Sequence, residues 1–480
     1  MNKYLCNIIL KYKSISTPVK SAIWFTFGNF LNLGISIITM PIFTRILSAA
    51  DIGQVSVYNT WQGILSIIVT LNLAYGVYEV SLVKYKEDQN NMTASLVMIT
   101  LILGSFFVIL ISFFNGIFCE VLGLESKYIY IMCFDIIFAS IITFWITQNR
   151  FKYNYKPCVI LLSSLAILRA IISILFVIIF NNDKSFSRII GYAIPDYILG
   201  FCLMISMLRK GSKWFEIEYW QYAIKFNIVL IPHYLSGVLL SSSDKIMISK
   251  IINDDKAGIY SIAYTCASLI TILFTSINSV FTPYIYNSLK NKNYLELREN
   301  TNRLIIITIG FAFTLILLAP EAIKIFAPPN YLEGIWLIPP ITVGIYMTFL
   351  YSLFSSIEFY YEKNKFITIA TITGSIINIV LNIIFIPIFG YVAAAYTTLI
   401  GYLIMAVGHY IFYKSIIPEK IYDIISISKY IIIFIILSGV TLILYPFTII
   451  RCIVIFIILL LIFYKRKYIL SILSLRSEKK

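Results

Sequence analysis

The chain has 480 residues, a mean hydropathy of +0.87, 59% hydrophobic residues and only 13% charged ones. Soluble domains carry charged residues at about 25%, so an ordinary soluble domain is excluded. The excess of 38 Lys and Arg over 23 Asp and Glu would suit nucleic acid, but most of the basic residues gather on one side of the predicted spans. That is the positive-inside pattern of a membrane protein, and it removes nucleic acid as a partner.

Residues 4–10 form a short apolar patch interrupted by Lys11 and Lys13, too short for a cleavable signal core. About 20 apolar residues cross a bilayer core. Fourteen segments are predicted to do so: 22–46, 54–80, 92–115, 128–148, 159–180, 189–207, 225–243, 258–282, 304–319, 334–356, 366–388, 391–412, 429–445 and 447–464. Residues 366–413 hold no Asp, Glu, Lys or Arg and read as two spans joined by a tight turn at Pro387–Gly390. Loops of at most about twenty residues leave no room for a soluble catalytic domain. The basic residues place both termini in the cytoplasm, with Lys3, Lys11, Lys13 and Lys20 at one end and Lys465, Arg466, Lys467, Arg476, Lys479 and Lys480 at the other. The seven cysteines are scattered without CxxC spacing and read as small apolar fillers.

Two stretches align without a gap at an offset of 205, Arg45–Val57 on Lys250–Ile262, with Ile46/Ile251, Gly53/Gly258 and Ser56/Ser261 identical. An even number of spans separates them. The fold expected is therefore an all-α integral membrane protein of two six-helix bundles related by a pseudo-two-fold along the membrane normal, as alternating-access transporters are built. The predicted division is a cytoplasmic segment 1–21, bundles 22–207 and 225–412, a cytoplasmic amphipathic linker 208–224, two additional helices in 413–464 and a basic tail 465–480.

Four ordered motifs carry a family resemblance: Gly28-Asn29, Pro41, Leu47-Ser48 and Asp51-Ile52-Gly53; Phe226 and Pro232 with Ser243-Asp244-Lys245-Ile246; Ala257-Gly258-Ile259-Tyr260-Ser261; and Gly374, Asn378, Asn382, Pro387, Gly390, Ala393 and Thr397. Together they resemble the oligosaccharide flippases of the MOP (MATE-like) superfamily, the O-antigen (Wzx-type) members above all. The resemblance implies a bacterial inner-membrane protein that moves polyprenyl-pyrophosphate-linked sugar repeat units to the periplasmic leaflet. It implies neither an enzyme nor a cofactor, and it places a polysaccharide polymerase and a chain-length regulator among the partners.

Charges at bilayer depth are costly and usually face a cavity or a partner. Arg169 can hold a pyrophosphate through paired N–H donors, or pair with Asp135 or Asp196. Those two carboxylates are candidate proton or cation sites or structural partners. His233, after the helix-bending Pro232, can carry a proton near neutral pH or stay neutral and bonded to a neighbour. Asp244 and Lys245 diverge on their helix, so at least one faces another helix or the cavity. Arg45 and Lys250 flank the outer mouth. Asn29, Asn378 and Asn382 can bind sugar hydroxyls or hold helices together. His409, Glu79 and Glu358 are expected at the interface. No HExxH, GxSxG, Walker or metal-spaced Cys/His pattern occurs.

Three other classes compete. An ion-coupled multidrug or small-molecule antiporter uses the same scaffold, a membrane polymerase or acyltransferase needs a larger outer loop, and a facilitator-type carrier needs a basic signature missing from 80–88.

Overall fold

A computed structural model describes residues 16–464. The basic terminal segments and the side chain of Asn29 lie outside the described residues. Every regular element among the described residues is helical: α1 (Thr17–Ile46), α2 (Ala49–Val69), α3 (Val77–Lys84), α4 (Gln89–Phe113), α5 (Asn115–Leu122), α6 (Ser126–Phe151), α7 (Tyr155–Ile179), α8 (Lys184–Lys210), α9 (Ile217–Ile228), α10 (Ile231–Ile251), α11 (Asp254–Ser268), α12 (Ile270–Lys290), α13 (Tyr294–Leu317), α14 (Ala319–Phe326), α15 (Ile338–Tyr360), α16 (Asn364–Phe389), α17 (Val392–Ile416), α18 (Ile424–Leu444) and α19 (Thr448–Tyr464). Short 3-10 turns occupy Lys86–Asp88 and Pro329–Leu337. In hydrocarbon every backbone polar group must be satisfied within its own helix, which is why so apolar a chain resolves into rods.

Eleven helices are long and apolar enough to cross a membrane, and twelve when α9 and α10, bent by 49° at the break between them, are taken as one span. The expected fourteen is compatible with these rods once α2 and the shorter α19 are added. The first half of α2 is diluted by Asp51, Gln54, Asn59 and Gln62.

Contacts divide the chain into two units. Unit 1 comprises the described residues up to Leu47 together with Tyr58–Tyr234, and unit 2 comprises Ser48–Val57 together with the described residues from Leu235 onward.

In unit 1 the second predicted span, 54–80, stops at Val69. Leu71 and Asn72 adopt left-handed backbone (φ 50 and 53), as does Gly76. The fully buried amide of Asn227 donates to Leu71 O at 2.9 Å and Asn72 O at 2.8 Å and ties this turn down. The predicted linker 208–224 is likewise partly built into the bundle. Tyr219 and Ala223 of α9 are buried in a core that contains Tyr78 and Phe144, whose rings meet edge to face at 4.8 Å.

In unit 2, α15 is the central helix, with nearly every residue from Ile338 to Leu350 buried. The predicted turn at 387–390 is present, Gly390 supplying the left-handed residue (φ 74) that ends α16.

Ser48–Val57 of the first repeat member lie with the second member in unit 2, and the two do equivalent work. Ser48 and Asp51 cap α2 reciprocally, with Ser48 N–H donating to the Asp51 carboxylate at 2.9 Å and Asp51 N–H to Ser48 Oγ at 3.1 Å. Asn253, equivalent to Ser48, caps α11 by accepting from Lys256 N–H at 2.9 Å. A Cβ on Gly53 would strike the Asp254 carbonyl, and one on Gly258 would strike that of Ala49. Because Asp254 is itself the equivalent of Ala49, the contact is reciprocal and defines a local two-fold.

Candidate functional site

Unit 1 carries a polar cluster at mid-helix. Arg169 of α7 meets Asp196 of α8 as a two-pronged fork, Nε donating to Oδ1 at 2.8 Å and Nη2 to Oδ2 at 2.7 Å. The planar guanidinium also lies over the Tyr192 ring at 4.8 Å, and Tyr192 sits one helical turn before Asp196. Pro195 stands inside α8 and removes one backbone N–H from its ladder. Nη1 of Arg169 has no protein partner among the described residues. Of the two carboxylates expected as its partner, Asp196 is the one that holds it.

Asp135 of α6 is buried and accepts instead from the Tyr58 hydroxyl of α2, while its Oδ1 accepts no hydrogen bond. Tyr197, adjacent to Asp196, donates to Ile131 O at 3.0 Å and ties α8 to α6 one turn before Asp135. A guanidinium joined to one carboxylate, with a second carboxylate nearby, is a neutral-to-anionic cluster whose cation can exchange partners. Breaking such a pair without replacement costs about 3–5 kcal/mol.

Unit 2 carries a second network. Asp244 of α10 is almost fully buried and accepts from Tyr260 Oη at 2.6 Å, Asn382 Nδ2 at 2.6 Å and the Thr398 hydroxyl. Asn378 donates to Thr398 at 3.3 Å, and Thr397 donates to Asn382. Both asparagines are fully buried and hydrogen-bonded within this network. Lys245 turns away from this network. Its ammonium has no hydrogen-bond or ion-pair partner among the described residues and lies 5.3 Å from the Tyr264 ring centre.

Two other predicted residues, Arg45 and His233, fall outside both networks. Arg45, at the end of α1, donates Nη1 to Pro41 O at 2.8 Å in an exposed position. His233 follows the α9–α10 break and its ring lies beside Tyr234. The side chain of Asn29 is outside the described residues.

Two interfacial expectations are corrected. Glu358 and His409 are both fully buried and face each other at 3.0 Å, because α15 and α17 pack closely there. Glu79 forms an exposed ion pair with Arg150, as an interfacial residue would. An ion pair of a buried Arg with a half-buried Glu was missed altogether. Arg451 of α19 forks onto Glu321 (2.6 and 2.7 Å) and donates to Leu317 O at 2.8 Å. An Arg inside an apolar run was the available signal, but nothing in sequence links 451 to 321.

A multi-spanning helical membrane protein is what this fold defines. The fold is that of the MOP superfamily. It matches the lipid II flippase MurJ in an inward closed conformation with a TM-score of 0.70 at 16% identity, over 94% of this chain and 100% of that one. It matches an inward-facing multidrug resistance MATE family transporter with a TM-score of 0.59 at 12% identity, over 80% and 94%. Among curated relatives, the Lsg locus putative protein 1 of Haemophilus influenzae is 23% identical over 375 residues, covering 75% of this chain and 88% of that protein. An uncharacterized membrane protein of the same organism is 20% identical over 348 residues, covering 70% and 83%. Residues 19–289 match the polysaccharide biosynthesis protein family, and the chain belongs to that family.

Proposed function

We propose that the chain translocates polyprenyl-pyrophosphate-linked oligosaccharide repeat units, of O-antigen or capsule, from the cytoplasmic to the periplasmic leaflet of a bacterial inner membrane by alternating access. The observation that carries this reading is the Arg169 guanidinium, forked on Asp196 with Nη1 still open. A pyrophosphate offers the same planar acceptor pair as a carboxylate, with more charge, so the substrate replaces Asp196 and the carboxylate recaptures Arg169 after release. The repeat unit so delivered is the substrate of a polysaccharide polymerase working with a chain-length regulator.

The test is export of surface polysaccharide in cells whose own flippase is replaced by this chain. Arg169→Ala should abolish export at unchanged membrane level, and Arg169→Lys should keep part of it, because it retains charge without the planar fork. Normal export by the Ala variant refutes the role. Both termini are read as cytoplasmic. Reporter fusions at Lys292 and Lys480 should then report cytoplasm, and one at Asp254 periplasm.

A second reading, an ion-coupled antiporter of small molecules, is favoured by one observation, the buried Asp135 with a single hydroxyl donor. A cationic drug needs an unneutralised carboxylate, and Asp196 is already neutralised by Arg169, so the flippase reading stands first. Purified protein that binds a cationic dye but no lipid-linked pyrophosphate would reverse the order.

A further inference from the structure

We propose that the end of α8, the turn that follows it and the C-terminus of α6 form a headgroup site for an anionic phospholipid on unit 1. Lys152 caps α6, and Lys210 is the last residue of α8. The two ammonium groups stand near enough to repel: burial first, and Lys210 second, hold Lys152 below the ordinary lysine range. Neither ammonium has a hydrogen-bond or ion-pair partner among the described residues. Two carboxylates at this end are already taken, Glu79 by Arg150 and Asp88 by Lys213 and Tyr219. Two cations held together without an anion leave a place for one, and a lipid phosphate supplies it. A zwitterionic headgroup brings its own ammonium into the cluster, so the charge selects a headgroup that is negative overall.

The same corner carries the apolar half of such a site. Trp214 and Phe215 lie in the turn between two candidate spans, and Ile217 opens the second. They are 42%, 61% and 63% exposed. Three large apolar side chains left in water are costly, whereas aromatic rings at headgroup level are where a membrane protein is anchored. The structure holds them in place. Trp214 Nε1 donates to Leu208 O and Gly211 O, both at 2.9 Å, and Phe215 meets Trp220 edge to face at 6.0 Å. Ser212 N–H donates to Asn91 Oδ1 at 2.7 Å, and a Cβ on Gly211 would strike Ala94 and the Asn90 carbonyl, so the turn is pinned on α4. Along α8, Ile198, Phe201, Ile205 and Arg209 follow at helical spacing and none is buried. That is a strip for an acyl chain, ending in a guanidinium.

The probe is phosphatidylglycerol, against phosphatidylcholine of the same acyl chains, with the purified full chain in neutral detergent and bound lipid counted by native mass spectrometry. Wild type should retain one phosphatidylglycerol at concentrations about tenfold below those that phosphatidylcholine needs. Lys152→Gln/Lys210→Gln should remove that difference, and Phe215→Ser should weaken both lipids. Lys290→Gln/Lys292→Gln, an equal loss of charge in unit 2, should leave the difference in place. Equal retention of the two lipids by wild type overturns the proposal without any variant. So does a preference that survives the Lys152/Lys210 change, or one that falls equally in the unit 2 control, since bulk charge is then the cause. Displacement of the lipid by millimolar inorganic phosphate would mark a small-anion site and overturn it as well. No lipid-linked sugar enters these measurements, so their failure leaves the flippase reading as it stood.

Discussion

Ser56 and Ser261, 205 positions apart and equivalent in the repeat, share a buried hydrogen bond of 2.6 Å. The bond lies one turn from the reciprocal approach of Gly53 to Asp254 and of Gly258 to Ala49. Equivalent residues that bond to each other mark a two-fold axis at that point, so the duplicated stretch is a packing device and not a coincidence of composition. Its glycines are there because backbone must touch backbone.

Gly53→Ala and Gly258→Ala should each destabilise the protein by about 1–3 kcal/mol, since a methyl group must displace a carbonyl. Gly34 and Gly439 have open space around the position of a Cβ, and alanine there should leave stability within about 0.5 kcal/mol. Thermal unfolding of the four variants in one detergent checks the contrast. Equal behaviour of both pairs would remove the packing argument.

For the Arg169–Asp196 pair, Asp196→Ala should lose more stability than the double variant Arg169→Ala/Asp196→Ala. The single change strands a buried guanidinium, at about 3–5 kcal/mol, and the double change does not. Folded yield and unfolding midpoints read this directly, and both variants should lose export.

Asn378→Ala and Asn382→Ala should act on stability rather than on substrate affinity. Each removes a donor from a fully buried network around Asp244, and an unmet buried acceptor costs about 1–3 kcal/mol. A variant that unfolds like wild type but binds lipid-linked sugar more weakly would return these residues to the sugar.

Acid should loosen the contact between α19 and α14. The Arg451 fork holds the Glu321 carboxyl below its ordinary 4.5. A depressed carboxylate contributes stability above its unfolded value and loses it as pH falls through the folded one. The unfolding midpoint should therefore drop as pH falls below about 4.5, and Glu321→Gln should flatten that part of the profile while lowering stability at neutral pH.

Much of this was written in the order of residues. The apolar runs determined a multi-spanning helical protein, because about 20 apolar residues in hydrocarbon have few options other than a helix. Motifs around Asp51–Gly53, Asp244–Lys245 and Asn378–Gly390 pointed to the family, and Arg169 was conspicuous as a charge among aliphatic neighbours. The sequence by itself could also pair Gly53 with Gly258.

Partners were another matter. Whether Arg169 takes Asp135 or Asp196, whether Asn382 faces a sugar or Asp244, and that Glu358 finds His409 all depend on the rotation and depth of neighbouring helices. So does the end of α2 at Val69, where Asn227, more than 150 positions later, satisfies the turn. Hydropathy reports that a side chain is dry, but a hydrogen bond needs two atoms within about 3 Å. Only helix packing brings residues so distant in sequence to that range.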